Sequence, residues 1–325
     1  MTDQTREHLK ISYSSLNLLD TCMRKFEFNK LYPRRPRDSD AFAADVGSAL
    51  HHAYQHFLIH GDEEAATWVL MRDYPYIGEF SQRTDDRSLE ACISVLDEMM
   101  HYGKMDEWEL MTIKRPPTDE ERAAGLDGVV VPAIEVPFEL RLKGIDLPDG
   151  RGLAFTGFMD AAMRHLVTDR VRTLDIKTNR RTMEDATPKY KFDGQQIPYG
   201  IVLEHIVGNR VDEFEVLYLD CYVDLLNPRV QLYPFRKDSS DIQDWLINTV
   251  LAGQRIQRSM EMDYFPRTNG GCMSWNRPCY FLDICEIRDR EQITDWLLMG
   301  DEPEHRVDAV PWIVAEIDVF GNGGQ

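Results

Sequence analysis

Residues 154–178 constrain this chain more than any other stretch. "AFTGFMDAAMRHL" and "VRTLDIKT" both read as strands, and the turn-like "TDR" between them is short enough to pair them. Side chains alternate faces along a strand. Leu174 and Ile176 then face one way, while Asp175 and Lys177 share the other. On the first strand Asp160 lies opposite its neighbours Met159 and Ala161. Pairing across the turn brings Asp160 and Asp175 together, with Lys177 beside them. Two carboxylates plus a backbone carbonyl suit a hard, oxygen-preferring cation such as Mg²⁺ or Mn²⁺. Such a cation polarises a phosphoryl oxygen, and a lysine positions water and offsets developing charge. The polar face of a plain hairpin is the alternative these residues leave open.

The flanking pattern is helical before and mixed after. Residues 12–30 predict a helix, with Leu16, Leu19, Met23 and Phe26 at helical spacing and Ser12 or Ser14 as N-cap. A second amphipathic helix is expected over 42–60, ending at Gly61, and helical pieces continue from about Glu63 to about Tyr102. After the polar connector "KRPPTDEERAAGLDG", "VVVPAIEVPFELRL" opens the strand region. A helix around 193–207, strands at "EFEVLYLDCYV" and "RVQLYPF", and a long helix over 240–260 follow. The sum is an α/β chain with a sheet flanked by helices. It is expected to be a single domain: a helical part over 12–127, a core over 128–236, a helix and cysteine segment over 237–300, and a tail over 301–325.

Composition bounds the function. With 43% hydrophobic and 29% charged residues, the 325-residue chain should fold as a soluble globule. It has no apolar run of membrane length and no secretory h-region, so a cytoplasmic location is expected. A net charge of −19 argues against indiscriminate nucleic-acid binding. Charge is local, however, and Arg180, Arg181, Lys189 and Lys191 cluster just after Lys177. In "QQIPY", Gln195 and Tyr199 stand at i,i+4 on one helix face, and "GSALHH" places His51 four residues after Gly47.

The ordered set "GFMD", "DIKT" and "QQIPY", with "VGSALH" upstream, resembles the PD-(D/E)XK nucleases, in particular their RecB/AddB-type branch. The resemblance spans roughly residues 12–285 and implies a restriction-endonuclease-like core. It implies Asp160, Asp175 and Lys177 as catalytic residues, and His51, Asp160, Asp175 and the Ile176 carbonyl as metal ligands. Gln195 and Tyr199 would be a DNA-facing pair, and Glu135 a supporting acid. Pro198 inside the last motif requires the helix to begin close to Asp193 or to bend there.

Of the six cysteines, Cys22 lies in "DTCMRKFEF" and Cys272, Cys279 and Cys285 lie in "GGCMSWNRPCYFLDICE", with spacers of six and five. Four thiols of this kind suit a soft-metal site, zinc or an iron–sulfur cluster. One cysteine before the core and three after it is similar to the clasp of AddB-type nucleases and of CRISPR-associated adaptation exonucleases. That similarity implies a structural [4Fe–4S] cluster joining the N- and C-terminal helices. Cys92 and Cys221 fall in regular elements and are read as buried thiols.

The function that follows is a Mg²⁺- or Mn²⁺-dependent deoxyribonuclease, an exonuclease on DNA ends or single strands. Its setting would be recombination, repair or phage DNA processing, with a helicase or recombination protein as a partner. The alternatives are a non-catalytic DNA-binding adaptor on a nuclease fold and a structure-specific endonuclease.

Overall fold

The computed structural model describes residues 7–32, 42–75, 87–179, 190–191, 193–208, 214–268, 271–274, 277–287, 289–298 and 310–318. The chain opens with β1 (His8–Ile11), α1 (Tyr13–Thr21), α2 (Met23–Lys30), α3 (Phe42–His60), α4 (Glu63–Asp73) and α5 (Leu89–Met100). Then come β2 (Trp108–Leu110), β3 (Thr112–Arg115), α6 (Asp119–Ala123), β4 (Val129–Pro132), β5 (Ile134–Asp146), β6 (Gly152–His165) and β7 (Val171–Asn179). The remainder is α7 (Ile197–Val207), β8 (Phe214–Tyr222), β9 (Arg229–Lys237), α8 (Ser239–Glu261), β10 (Met273–Ser274), β11 (Arg277–Pro278), α9 (Leu282–Cys285), α10 (Arg290–Leu298) and β12 (Ile313–Asp318). Among these, no helix is long and apolar enough to cross a membrane.

The described residues form two compact units, each discontinuous in sequence. One draws on Asp40–Val136 and Phe158–Ile242, the other on Met1–Ser39, Pro137–Gly157 and Gln243–Gln325.

The first of these carries the mixed sheet. Strands β6 and β7 pair antiparallel, β7 and β8 parallel, and β8 and β9 antiparallel. The two-residue alternation of β7 explains its burial. Leu174 and Ile176 enter an apolar core with Val46 and Leu50 of α3, Val95 and Leu96 of α5, and Leu217 and Leu219 of β8. Each such side chain contributes about 1.5–3 kcal/mol when fully buried. Helix α3 ends where expected, at Gly61, whose φ of 64° is the left-handed conformation that glycine adopts without strain. The expected strand over 129–142 is interrupted at Ala133, between β4 and β5.

The other unit departs from the sequence reading in two places. The helix expected over 12–30 is broken at Cys22, whose extended backbone (φ −165°, ψ 117°) ends α1 and begins α2. Ser12 caps α1 in a reciprocal arrangement with Ser15, a motif worth about 1 kcal/mol. The second departure is the tail, which contains β12, paired in parallel with β5 from Ile313↔Phe138 to Asp318↔Lys143. "IVAEID" alternates apolar residues at 313, 315 and 317, which is the strand period. Strand β1 likewise runs parallel to the opening of β6, from His8↔Gly152 to Ile11↔Phe155.

Candidate metal and catalytic site

The site begins where the β6–β7 ladder stops. Its registered pairs run from Arg164↔Val171 to Ala161↔Leu174. Beyond them, the Ile176 N–H donates to a side chain, Asp160 Oδ2, at 3.1 Å. The ladder has given way to a carboxylate held by a backbone donor.

Helix α3 supplies the next group. A Cβ on Gly47 would stand 2.9 Å from Thr178 Oγ1, so only glycine lets α3 lie this close to β7. One turn later, His51 Nε2 is 3.3 Å from Asp160 Oδ2, and His51 Nδ1 is 3.8 Å from Glu135 Oε1. Glu135 has φ 46°, a left-handed conformation that costs a non-glycine residue about 1–3 kcal/mol. Gln55, one turn beyond His51, donates to Glu135 Oε1 at 2.9 Å and fixes that carboxylate. One ligand atom from each of His51, Glu135 and Asp160 lies within 4.8 Å of the other two, an arrangement able to hold a metal ion.

Asp175 sits beside this group but is turned to other partners. It is fully buried, and its Oδ2 lies 2.8 Å from Lys177 Nζ. Its Oδ1 accepts from Lys177 Nζ at 3.1 Å and from Gln196 Nε2. Lys177 Nζ also donates to Gln195 Oε1 at 2.9 Å. The triad brought together thus differs from the expected ligand set: Glu135 joins His51 and Asp160, while the Asp175 carboxylate compensates the neighbouring ammonium. Ile176 takes part through its N–H.

The electrostatics follow from burial and proximity. Burial pushes the Asp175 carboxyl up to about 7; Lys177 opposes that rise and Asp160 adds to it. For Asp160, burial works against ionisation, but His51, Lys177 and the Ile176 N–H outweigh it and hold its pKa below the usual value. Burial also disfavours the charged forms of His51 and Lys177. In both, the surrounding carboxylates prevail and raise the pKa.

The other expected contacts divide. Gln195 precedes α7 instead of lying on it, because Pro198 falls in the first turn of that helix. It reaches Lys177, not an open surface. Tyr199 is buried and its hydroxyl donates to the Phe158 carbonyl at 2.7 Å, so it ties α7 to β6 and presents no face for DNA. Tyr190, just before this motif, is fully buried against Tyr218, with ring centroids 4.3 Å apart. Lys191 is exposed. Arg180, Arg181 and Lys189 lie outside the described residues. Sequence reasoning passed over Gln55 and Gln196. Gln55 was open to detection from its i,i+4 spacing to His51; Gln196 carried no signal beyond adjacency to Gln195.

In the other unit, Cys22, Cys272, Cys279 and Cys285 all line one small cavity, with Arg24, Lys25, Arg267 and Phe281. The loop folds back through a Cys279 N–H bond to the Cys272 carbonyl at 2.8 Å. The sulfurs are not gathered into a ligand set, however: among the described residues, no three lie within 4.8 Å of one another. Neither the expected [4Fe–4S] cluster site nor a closed tetrahedral zinc site is therefore what this arrangement of the described thiols presents. Cys92 and Cys221 are buried in α5 and β8, as expected.

The sequence matches the family model of the PD-(D/E)XK nuclease superfamily over residues 10–286. Among solved structures, the chain is similar to an exonuclease candidate from Eubacterium rectale, with 14% identity, a TM-score of 0.44, and coverage of 88% of this chain and 98% of that one. It is also similar to SSO0001, with 13% identity, a TM-score of 0.31, and coverage of 87% and 88%. No curated protein matches it significantly. The family match spans most of the sequence and includes every side chain gathered around Asp160, and on that ground the chain belongs to the PD-(D/E)XK nuclease superfamily.

Proposed function

We propose that the protein is a divalent-cation-dependent deoxyribonuclease, acting as an exonuclease on DNA ends or single strands. The observation that carries this reading is the meeting of His51, Glu135 and Asp160 beside the Asp175–Lys177 pair, in a chain of this superfamily. The donor set fits a divalent ion. Two carboxylates suit Mg²⁺ or Mn²⁺, and the imidazole tilts the preference toward Mn²⁺. His51 Nε2 is buried and makes no well-formed hydrogen bond, as a nitrogen kept for a ligand would. Asp175 and the Ile176 carbonyl are further candidate ligands on the adjoining strand. When bound, the cation would supply Lewis acidity toward a phosphoryl oxygen.

The remaining chemistry falls to the protein's own groups. Lys177 keeps its charge because Asp175 and Asp160 favour the ammonium, so it can hold a phosphate oxygen or the attacking water. Gln195 limits where that ammonium points. Arg180, Arg181, Lys189 and Lys191 are the proposed contacts to the DNA backbone, which would set position and not sequence.

A secondary proposal, an iron–sulfur clasp, rests on the sequence resemblance and not on the arrangement of the described thiols. Arg24, Lys25 and Arg267 border the four thiols and would offset a cluster's negative charge.

The experiment that tests the main reading is incubation of anaerobically purified protein with end-labelled linear and circular DNA, single- and double-stranded, in Mg²⁺, Mn²⁺ or EDTA. Shortening of linear substrates alone, in metal only, supports an exonuclease. Cleavage of circles supports an endonuclease, and no cleavage of any substrate rejects both.

A further inference from the structure

Lys237, the last residue of β9, is only 1% exposed. Its Nζ donates to three backbone carbonyls: Tyr190 at 3.3 Å, Lys191 at 2.5 Å and Asp193 at 3.3 Å. An ammonium has three donors and no acceptor, so these carbonyls match its full capacity. Burial pulls the Lys237 pKa down, although Asp241 and Asp193 oppose this. A buried cation carries a desolvation penalty, which an apolar side chain of the same length avoids. The ammonium therefore needs a reason, and the carbonyls provide one.

Those carbonyls belong to the approach to α7. The same approach is fixed through its side chains, since the Tyr190 ring stacks on Tyr218 and also contacts Tyr233 and Phe235. Asp193 Oδ1 accepts the Gln195 N–H at 2.9 Å. Gln195 then accepts from Lys177, and Gln196 donates to Asp175. A continuous set of bonds leads from β9 to the lysine and carboxylate of the site. The other half of the site, His51, Glu135 and Asp160, is delivered by α3, β5 and β6.

We infer that Lys237 is a positioning residue for the candidate site: it clamps the backbone at Tyr190, Lys191 and Asp193 so that Gln195 and Gln196 hold Lys177 and Asp175 in place. The inference rests on the nuclease reading. It separates two properties that simple loss of stability would move together, namely turnover and cation affinity.

The test uses the full chain as wild type, Lys237→Met and Lys237→Gln, the last retaining two donors should the apolar variant fold poorly. Amide hydrogen exchange over residues 190–197 reads the clamp. Mn²⁺ titrations read the cation site. Single-turnover cleavage at saturating Mn²⁺, well below the lowest melting temperature, reads the chemistry, and a cycle with Gln195→Ala reads the coupling. Exchange over 190–197 should quicken, cleavage at saturating Mn²⁺ should fall about tenfold or more, and Mn²⁺ affinity should fall less than the rate. The double variant should lose no more than the worse single variant. Unchanged exchange, losses that multiply, or Mn²⁺ affinity falling in step with rate would each overturn the inference. A wild type that cleaves nothing rejects the nuclease reading instead, and the exchange measurement still decides whether the clamp exists.

Discussion

The carboxylate–lysine site and the cysteine cavity are both assembled from residues far apart in sequence, yet they differ in how far each is built. Around Asp160, three ligand atoms stand within 4.8 Å, and Asp175, Lys177, Gln195 and Gln196 are linked side chain to side chain. Around Cys22, four thiols share a cavity but do not meet. The first is carried mainly by strands and a long helix, whose periods fix where each side chain goes. The second is carried by a helix break, a loop and a four-residue helix, where no period operates. If this contrast is functional, substitutions in the first region should remove chemistry and spare the fold. Substitutions in the second should weaken the fold and spare the chemistry.

The largest expected effect is at Lys177. Lys177→Ala should lower the single-turnover cleavage rate about 100-fold or more, as loss of a group that stabilises developing charge does. Mn²⁺ should still raise the melting temperature, because the ligand triad is intact. Loss of the Mn²⁺-induced shift in that variant would place Lys177 in the metal set and blur the contrast.

Next comes Gln55, which touches Glu135 and not the substrate. Gln55→Ala should weaken Mn²⁺ about tenfold, the usual scale for a residue that orients a ligand. The rate at saturating Mn²⁺ should recover; a rate that stays low would mean Gln55 acts on more than the cation.

The cysteine side is sharpened by iron. Anaerobically prepared protein should carry about four irons per chain with broad absorbance near about 400 nm. Cys22→Ser should lose the iron and lower the melting temperature while leaving Mn²⁺-dependent cleavage of the surviving fold within about twofold, inside the scatter of surface substitutions. Stoichiometric zinc without iron would replace the cluster by a zinc clasp.

The smallest effect is one of pH. With its pKa raised to about 7, Asp175 favours the folded state when protonated. That contribution is fully present below the ordinary carboxylate pKa and is lost as pH rises through about 7. In EDTA, the melting temperature of Asp175→Asn relative to wild type should therefore climb between about pH 5 and 8, by a few degrees. A constant difference would mean Asp175 stays ionised throughout.

How much of this was legible in sequence depends on period. The strand alternation placed Leu174 and Ile176 in the core and Asp175 and Lys177 on the opposite face, and the turn brought Asp160 near. The helical spacing from Gly47 delivered His51. What escaped were features that depend on a single backbone departure. Glu135, implied beforehand as a supporting acid, owes its place in the triad to a left-handed backbone at the start of β5, and no pattern announces a positive φ at glutamate. Cys22 breaks a helix whose apolar spacing runs straight through it. Gln195 was assigned to a helix face, but Pro198 sets the start of α7 two residues later and leaves Gln195 in the turn, aimed at Lys177. Strand β12 was readable from its alternation but was hidden by its place in a polar, glycine-ended tail.

The most direct measurement compares wild type with Asp160→Asn, a variant of nearly the same size that removes a charge touching both His51 and the Ile176 N–H. End-labelled linear DNA is incubated with each protein in saturating Mn²⁺ and in EDTA, and the first-turnover rate is recorded alongside the melting curve. Wild type should degrade the DNA in Mn²⁺ and leave it intact in EDTA, while Asp160→Asn, folded by its melting curve, should be slower by at least about 100-fold. Cleavage by the folded variant at near the wild-type rate would contradict the account.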